Sequence, residues 1–105
     1  MECTVRWVGP QAGMSFIGES GTNHAVLMDG APEAGGRNLG PRPMEMVLIG
    51  TGGCTAFDVV MILQKGRQAV SDCVVKLSAT RAETDPKVFT SIHFHFVVSG
   101  NKLNQ

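Results

Sequence analysis

The sequence predicts an α+β fold: three short strands, one long helix, then two further strands. Three observations predict it. Short alternating runs near the N-terminus are separated by glycine-rich turns. A continuous apolar stretch at 44–65 is too long for a strand and reads as a helix. Alternation then resumes twice, so the strands are segregated around one helix instead of forming a βαβ repeat.

The first strand is predicted over 2–8, where Cys3, Val5 and Trp7 share one face and Thr4 and Arg6 the other. Gly9-Pro10 ends it. Strands over 14–19 and 24–29 follow, joined by a turn at 21–23, and the three read as an antiparallel meander. Gly30, Pro32, Gly35, Gly36, Gly40, Pro41 and Pro43 make 30–43 a mobile surface loop. Pro43 is a favoured first helical residue, and Glu45 puts a negative charge in the first turn. The helix over 44–65 is apolar on nearly every side and would be about 33 Å long. That pattern predicts a buried central helix. Gly50, Gly52 and Gly53 mark either a break in it or close packing. Lys65-Gly66-Arg67 reads as a helix end with a glycine stop. In the strand over 70–84, Cys73, Val75, Leu77 and Ala79 share a face, and Asp85-Pro86 breaks it. The last strand, 90–99, turns Ile92, Phe94 and Phe96 one way and His93, His95 and Val97 the other. Residues 100–105 read as the start of a connection.

The 105 residues allow one small domain. Hydrophobic residues are 43% and charged ones 17%, so the chain can build a core. Nine basic residues balance nine acidic ones, which leaves no electrostatic footprint for nucleic acid or an anionic membrane. The longest charge-free run in the apolar segment, 46–57, is too short to span a bilayer. The N-terminus has no apolar leader, so a reducing cytoplasmic location with free thiols is expected for Cys3, Cys54 and Cys73.

Cys54, inside Gly52-Gly53-Cys54-Thr55-Ala56, is the candidate nucleophile. It could simply pack. A break at Gly52-Gly53 would instead place it at a new helix N-terminus, where free N–H groups favour the thiolate. Asp58, one turn on, opposes that unless an arginine neutralises it; Arg6, Arg42 and Arg81 are the candidates. Glu45 and Cys54 are nine residues apart, half a turn out of phase on a straight helix. A kink, or a second subunit, would be needed to bring a Glu45 to a Cys54. Cys73 and Cys3 read as structural. His93 and His95 have a metal-compatible i, i+2 spacing but no accompanying ligand, and read as solvent-facing. No metal or cofactor is implied, and no phosphate loop or hydrolase elbow is present.

The segments Arg42-Pro43-Met44-Glu45-Met46-Val47-Leu48, Gly52-Gly53-Cys54-Thr55-Ala56-Phe57-Asp58-Val59-Val60 and Ile62-Leu63-Gln64-Lys65 together resemble the OsmC/Ohr family, most closely its YhfA-like branch. Val5-Arg6-Trp7-Val8, Val70-Ser71-Asp72-Cys73-Val74-Val75-Lys76-Leu77 and Val88-Phe89-Thr90-Ser91-Ile92-His93 extend the resemblance over essentially the whole chain. It implies a two-layer fold in an intertwined homodimer, with central helices packed together and active sites at the interface. It also implies thiol-dependent reduction of organic hydroperoxides, with a thiol reductant. Cys54 matches the peroxidatic cysteine. Glu45 matches an assisting glutamate to within one position, and Arg6 is the nearest counterpart of an assisting arginine. The family places its resolving cysteine in a later helix followed by a last strand, and 1–105 is expected to be a single domain lacking both. A dimer binding an apolar ligand without turnover is the alternative, and a stress-associated structural dimer with no small-molecule partner is a third reading.

Overall fold

The computed structural model describes residues 1–83 and 88–101. Its elements are β1 (Cys3–Trp7), β2 (Phe16–Ser20), β3 (Ala25–Met28), α1 (Pro43–Lys65), β4 (Ala69–Arg81) and β5 (Phe89–Asn101), with single 3-10 turns at Pro10–Ala12 and Pro32–Ala34. The α+β reading and the order of elements hold, with ends displaced by a few residues. The chain forms two compact units, Met1–Val47 and Leu48–Gln105.

In the first unit, β1, β2 and β3 form the antiparallel meander. Register places Trp7 opposite Phe16 and Phe16 opposite Met28, with Val5, Gly18 and Val26 aligned beside them. Cys3, Val5 and Trp7 therefore lie on one face, as their alternation requires. Arg6 and Glu19 lie on the other face, 3.0 Å apart and solvent-exposed.

The segment 30–43 is not the loose loop that its glycines and prolines suggest. It is organised by Asp29, whose side chain is 1% exposed. Oδ1 accepts backbone N–H bonds from Gly30 (2.7 Å) and Arg37 (3.4 Å). Oδ2 accepts from Leu39 N–H (3.2 Å) and the Ser15 hydroxyl (3.1 Å). The Asp29 N–H in turn donates to Pro41 O at 3.0 Å, so the ends of the loop meet. Gly36 is needed there, because a Cβ would collide with the Gly30 backbone.

The helix begins as Pro43 predicts. Arg42 is the N-cap: its carbonyl accepts the Met46 N–H at 3.0 Å. Glu45, three residues on, accepts the Arg42 N–H at 2.9 Å, the reciprocal half of a capping box. At the other end the glycine stop is displaced. Gln68 N–H bonds Leu63 O and Arg67 N–H bonds Gln64 O, a Schellman motif whose left-handed residue is Arg67 (φ +61°), not Gly66. Arg67→Gly should therefore raise stability by about 0.5–1 kcal/mol in a urea melt, by removing the Cβ penalty.

In the second unit, β4 and β5 form a long antiparallel hairpin that packs on α1. Gly52 is the only buried residue of α1. A Cβ there would come within 2.5 Å of the Leu77 side chain of β4, so this glycine is a close-packing site. Cys73, Val75, Leu77 and Ala79 are half-buried on one face of β4, while Val74, Lys76, Ser78 and Thr80 are exposed. Phe94 and Phe96 stack at 6.1 Å on β5. The strand runs on through Gly100 and Asn101, where a connection was expected. The Asp85-Pro86 break and positions 102–105 lie outside the described residues.

Of the two readings of its mid-helix glycines, a break or close packing, α1 shows the second at Gly52 and is unbroken from Pro43 to Lys65. The single chain by itself does not bury it: no apolar side chain is buried among the described residues, and Phe57 is 68% and Ile62 66% exposed. The hairpin packs at Gly52 on one face of a helix that is apolar on nearly every side. At 23 residues it is also long and apolar enough to cross a membrane by length and composition, as the core helix of a soluble protein can be. The shortness of 46–57 is thus no argument against a span.

Acid should test the Asp29 and Glu45 contacts. Burial opposes the Asp29 charge, but the bonds from Gly30, Leu39, Arg37 and Ser15 outweigh it and hold the carboxyl below 3.8. The Arg42 N–H foremost, then its guanidinium, holds Glu45 below 4.5 against partial burial. A lowered carboxyl stabilises the fold above its unfolded value and loses that stabilisation as pH falls through its folded value. Thermal stability should therefore fall as pH drops below 4.5 and further below 3.8, and that acid sensitivity should be blunted in Asp29→Asn.

Candidate active site around Cys54

Cys54 stands on α1 two residues from Gly52, about 200° around the helix. Gly52 faces the hairpin, so the Cys54 thiol faces away from it and is exposed. It lines an open cleft of about 350 Å³ with Gly53, Phe57 and Asp58. A second cleft of about 430 Å³ shares Gly53 and Phe57 and ends at Cys73. Cys73 looks toward the helix from β4 while Cys54 looks outward, and all three cysteines are free.

The thiol gains no helix N-terminus, because the helix does not break beneath it. The condition for that placement, a break at Gly52-Gly53, is therefore not met. Asp58 does share the Cys54 cleft, one helical turn away, as its spacing requires. Glu45 and Cys54 keep their half-turn phase difference on the unbroken helix. Glu45 is engaged by Arg42, whose Nη1 lies 3.5 Å from Oε1. Arg6 is engaged by Glu19. Arg42 is thus the arginine found beside the candidate glutamate.

Gly50, Cys54, Phe57 and Met61 recur at spacings of four, three and four on one exposed stripe of α1. Added Cβ atoms at Gly50 and Gly53 would meet nothing within 4 Å. This is a largely apolar seam with backbone-level openings at Gly50 and Gly53 and the Cys54 thiol next to the second.

His93 and His95 are exposed on β5, opposite Ser78 and Lys76. No metal-binding group of three or more His, Cys, Asp or Glu side chains occurs among the described residues. Sequence reasoning missed Asp29 and Ser15. Asp29-Gly30 at a strand end was the available signal, since Asp before Gly commonly folds its carboxylate back onto the following N–H groups.

The family model for OsmC-like protein matches residues 35–105. The chain belongs to the OsmC-like family. This OsmC-like chain is 52% identical over 103 residues to Protein YhfA of Escherichia coli K12, which covers 98% of the chain and 72% of that protein. Protein YhfA of Shigella flexneri matches to the same extent. A solved structure titled only structural genomics superposes with a TM-score of 0.84 at 49% identity, covering 99% of this chain and 72% of that one. A hypothetical protein from Aquifex aeolicus VF5 superposes with a TM-score of 0.72 at 28% identity, over 92% and 64% of the two chains. The OsmC-like fold is thus shared.

Proposed function

We propose that this OsmC-like chain acts in the cytoplasm as a homodimer that reduces organic hydroperoxides through Cys54. The observation that carries the reading is the placement of an exposed thiol in an apolar cleft on the uncovered face of α1. In the proposed reaction the Cys54 thiolate attacks the outer oxygen of R–O–O–H. An S–O bond forms, the O–O bond breaks, and the alkoxide takes a proton and leaves as the alcohol. A second thiol then attacks the sulfenic sulfur and releases water, and a dithiol reductant reduces the resulting disulfide.

Two observations support the dimer. The Gly50–Met61 stripe is exposed among the described residues and open at two glycines. Glu45 and Cys54 stand nine residues apart on α1, half a turn out of phase by helix geometry, so this reading takes the Glu45 at each Cys54 from a second copy. In this reading Glu45 steers the proton, and an arginine, Arg6 or Arg42, balances the charge. No nucleic acid, membrane or resident cofactor is part of it. The test is dithiol-driven hydroperoxide consumption by wild type and Cys54→Ser.

One observation favours the binding alternative. Asp58 lines the Cys54 cleft with no cation among the lining residues, which is poor company for a thiolate. The pH dependence of Cys54 alkylation separates the two. A midpoint well below about 8.5 supports catalysis, and one at or above it supports an apolar-ligand protein.

A further inference from the structure

We propose that Asp29 is a positioning residue: the loop it ties closed fixes Arg42, and through Arg42 the Glu45 carboxylate, at the start of α1. Asp29 stands at the end of β3, a buried acidic side chain whose two oxygens accept four hydrogen bonds. Three donors are backbone N–H groups spread from Gly30 to Leu39, and the fourth bond ties in Ser15 before β2. The Asp29 N–H closes the ring on Pro41 O. Arg42 is the next residue, and its own N–H is the one Glu45 accepts. One uninterrupted set of bonds therefore runs from the Asp29 carboxylate to the Glu45 carboxylate within the first unit. Backbone contact leaves little slack in the ring. A Cβ at Gly40 would come within 2.7 Å of Leu27 O, and one at Gly13 within 2.7 Å of Gly35 O. The functional weight of this device rests on the reading of Glu45 as the group that assists Cys54.

The experiment follows the Glu45 side-chain carboxyl by carbon NMR titration in wild type, Asp29→Asn and Ser15→Ala. Asp29→Asn keeps the shape but turns an amide NH₂ toward donors that need an acceptor. Ser15→Ala removes a single bond and leaves the backbone cradle in place. The expected result is that Glu45 titrates closer to 4.5 in both variants than in wild type, with the larger change in Asp29→Asn. An unchanged Glu45 titration in Ser15→Ala and Asp29→Asn overturns the proposal. If Asp29→Asn does not fold, an unchanged titration in Ser15→Ala alone overturns it. Hydroperoxide turnover is read in parallel, with kcat expected to fall roughly tenfold in Asp29→Asn while KM holds. Absence of turnover in wild type alongside a moved titration removes the peroxidase reading and leaves the positioning role standing.

Discussion

Cys54→Ser is expected to lower dithiol-driven hydroperoxide consumption by at least about 10³-fold, to the background of hydroperoxide and reductant alone. A serine hydroxyl at that position keeps the size and the cleft of Gly53, Phe57 and Asp58. It lacks a nucleophile that ionises near neutral pH. Cys3→Ser and Cys73→Ser should retain the first, sulfenic-acid-forming step, detected by a dimedone adduct on Cys54. Equal consumption by wild type and Cys54→Ser would end the peroxidase reading and leave the apolar-ligand reading. Wild-type activity that vanishes only in Cys73→Ser would move the nucleophile to the other cleft.

Gly53→Leu is expected to convert the proposed dimer to a monomer without unfolding the chain. The side chain enters open space within the chain, since nothing lies within 4 Å of an added Cβ. Replacing a mid-helix glycine also adds helix propensity, about 1 kcal/mol at most. Across a twofold interface the same leucine would be inserted twice, and overpacking costs about 1–3 kcal/mol each time. Self-association should therefore weaken by roughly 30-fold or more, read by sedimentation equilibrium. Gly52→Leu is the contrast. It meets Leu77 inside the chain, so its loss should appear as lowered thermal stability. Unaltered association in Gly53→Leu would place the interface elsewhere.

The strands were legible because their alternation survives in the fold: Cys73, Val75, Leu77 and Ala79 turn inward as spaced. The helix start was legible because Pro43 and Glu45 carry local signals that tertiary contacts do not override. Three features were not legible. Gly52 and Gly53 are equivalent in sequence, yet one is buried against Leu77 and the other is open, and only the approach of β4 distinguishes them. Gly66 looked like the helix stop, but the hydrogen-bond count placed the left-handed residue at Arg67. The glycine- and proline-rich loop looked loose because composition does not report an acceptor placed before it. Asp29 supplies one, and the N–H groups of Gly30, Arg37 and Leu39 converge on it. At the site, Cys54 was singled out by the glycines before it, and Glu45 only by the family resemblance, since nine residues put the two half a turn apart. Under the proposed dimer their assembly depends on a second copy, which the spacing within one chain does not display.

That uncovered helix has a consequence for how the protein behaves as a solution. With no apolar side chain buried among the described residues, the proposed dimer would add a large share of the hydrophobic driving force. Part of the stability then depends on protein concentration, and dilution lowers it. Its melting temperature should then climb with the logarithm of protein concentration, and its abundance in a cell should set the fraction folded as well as the amount present.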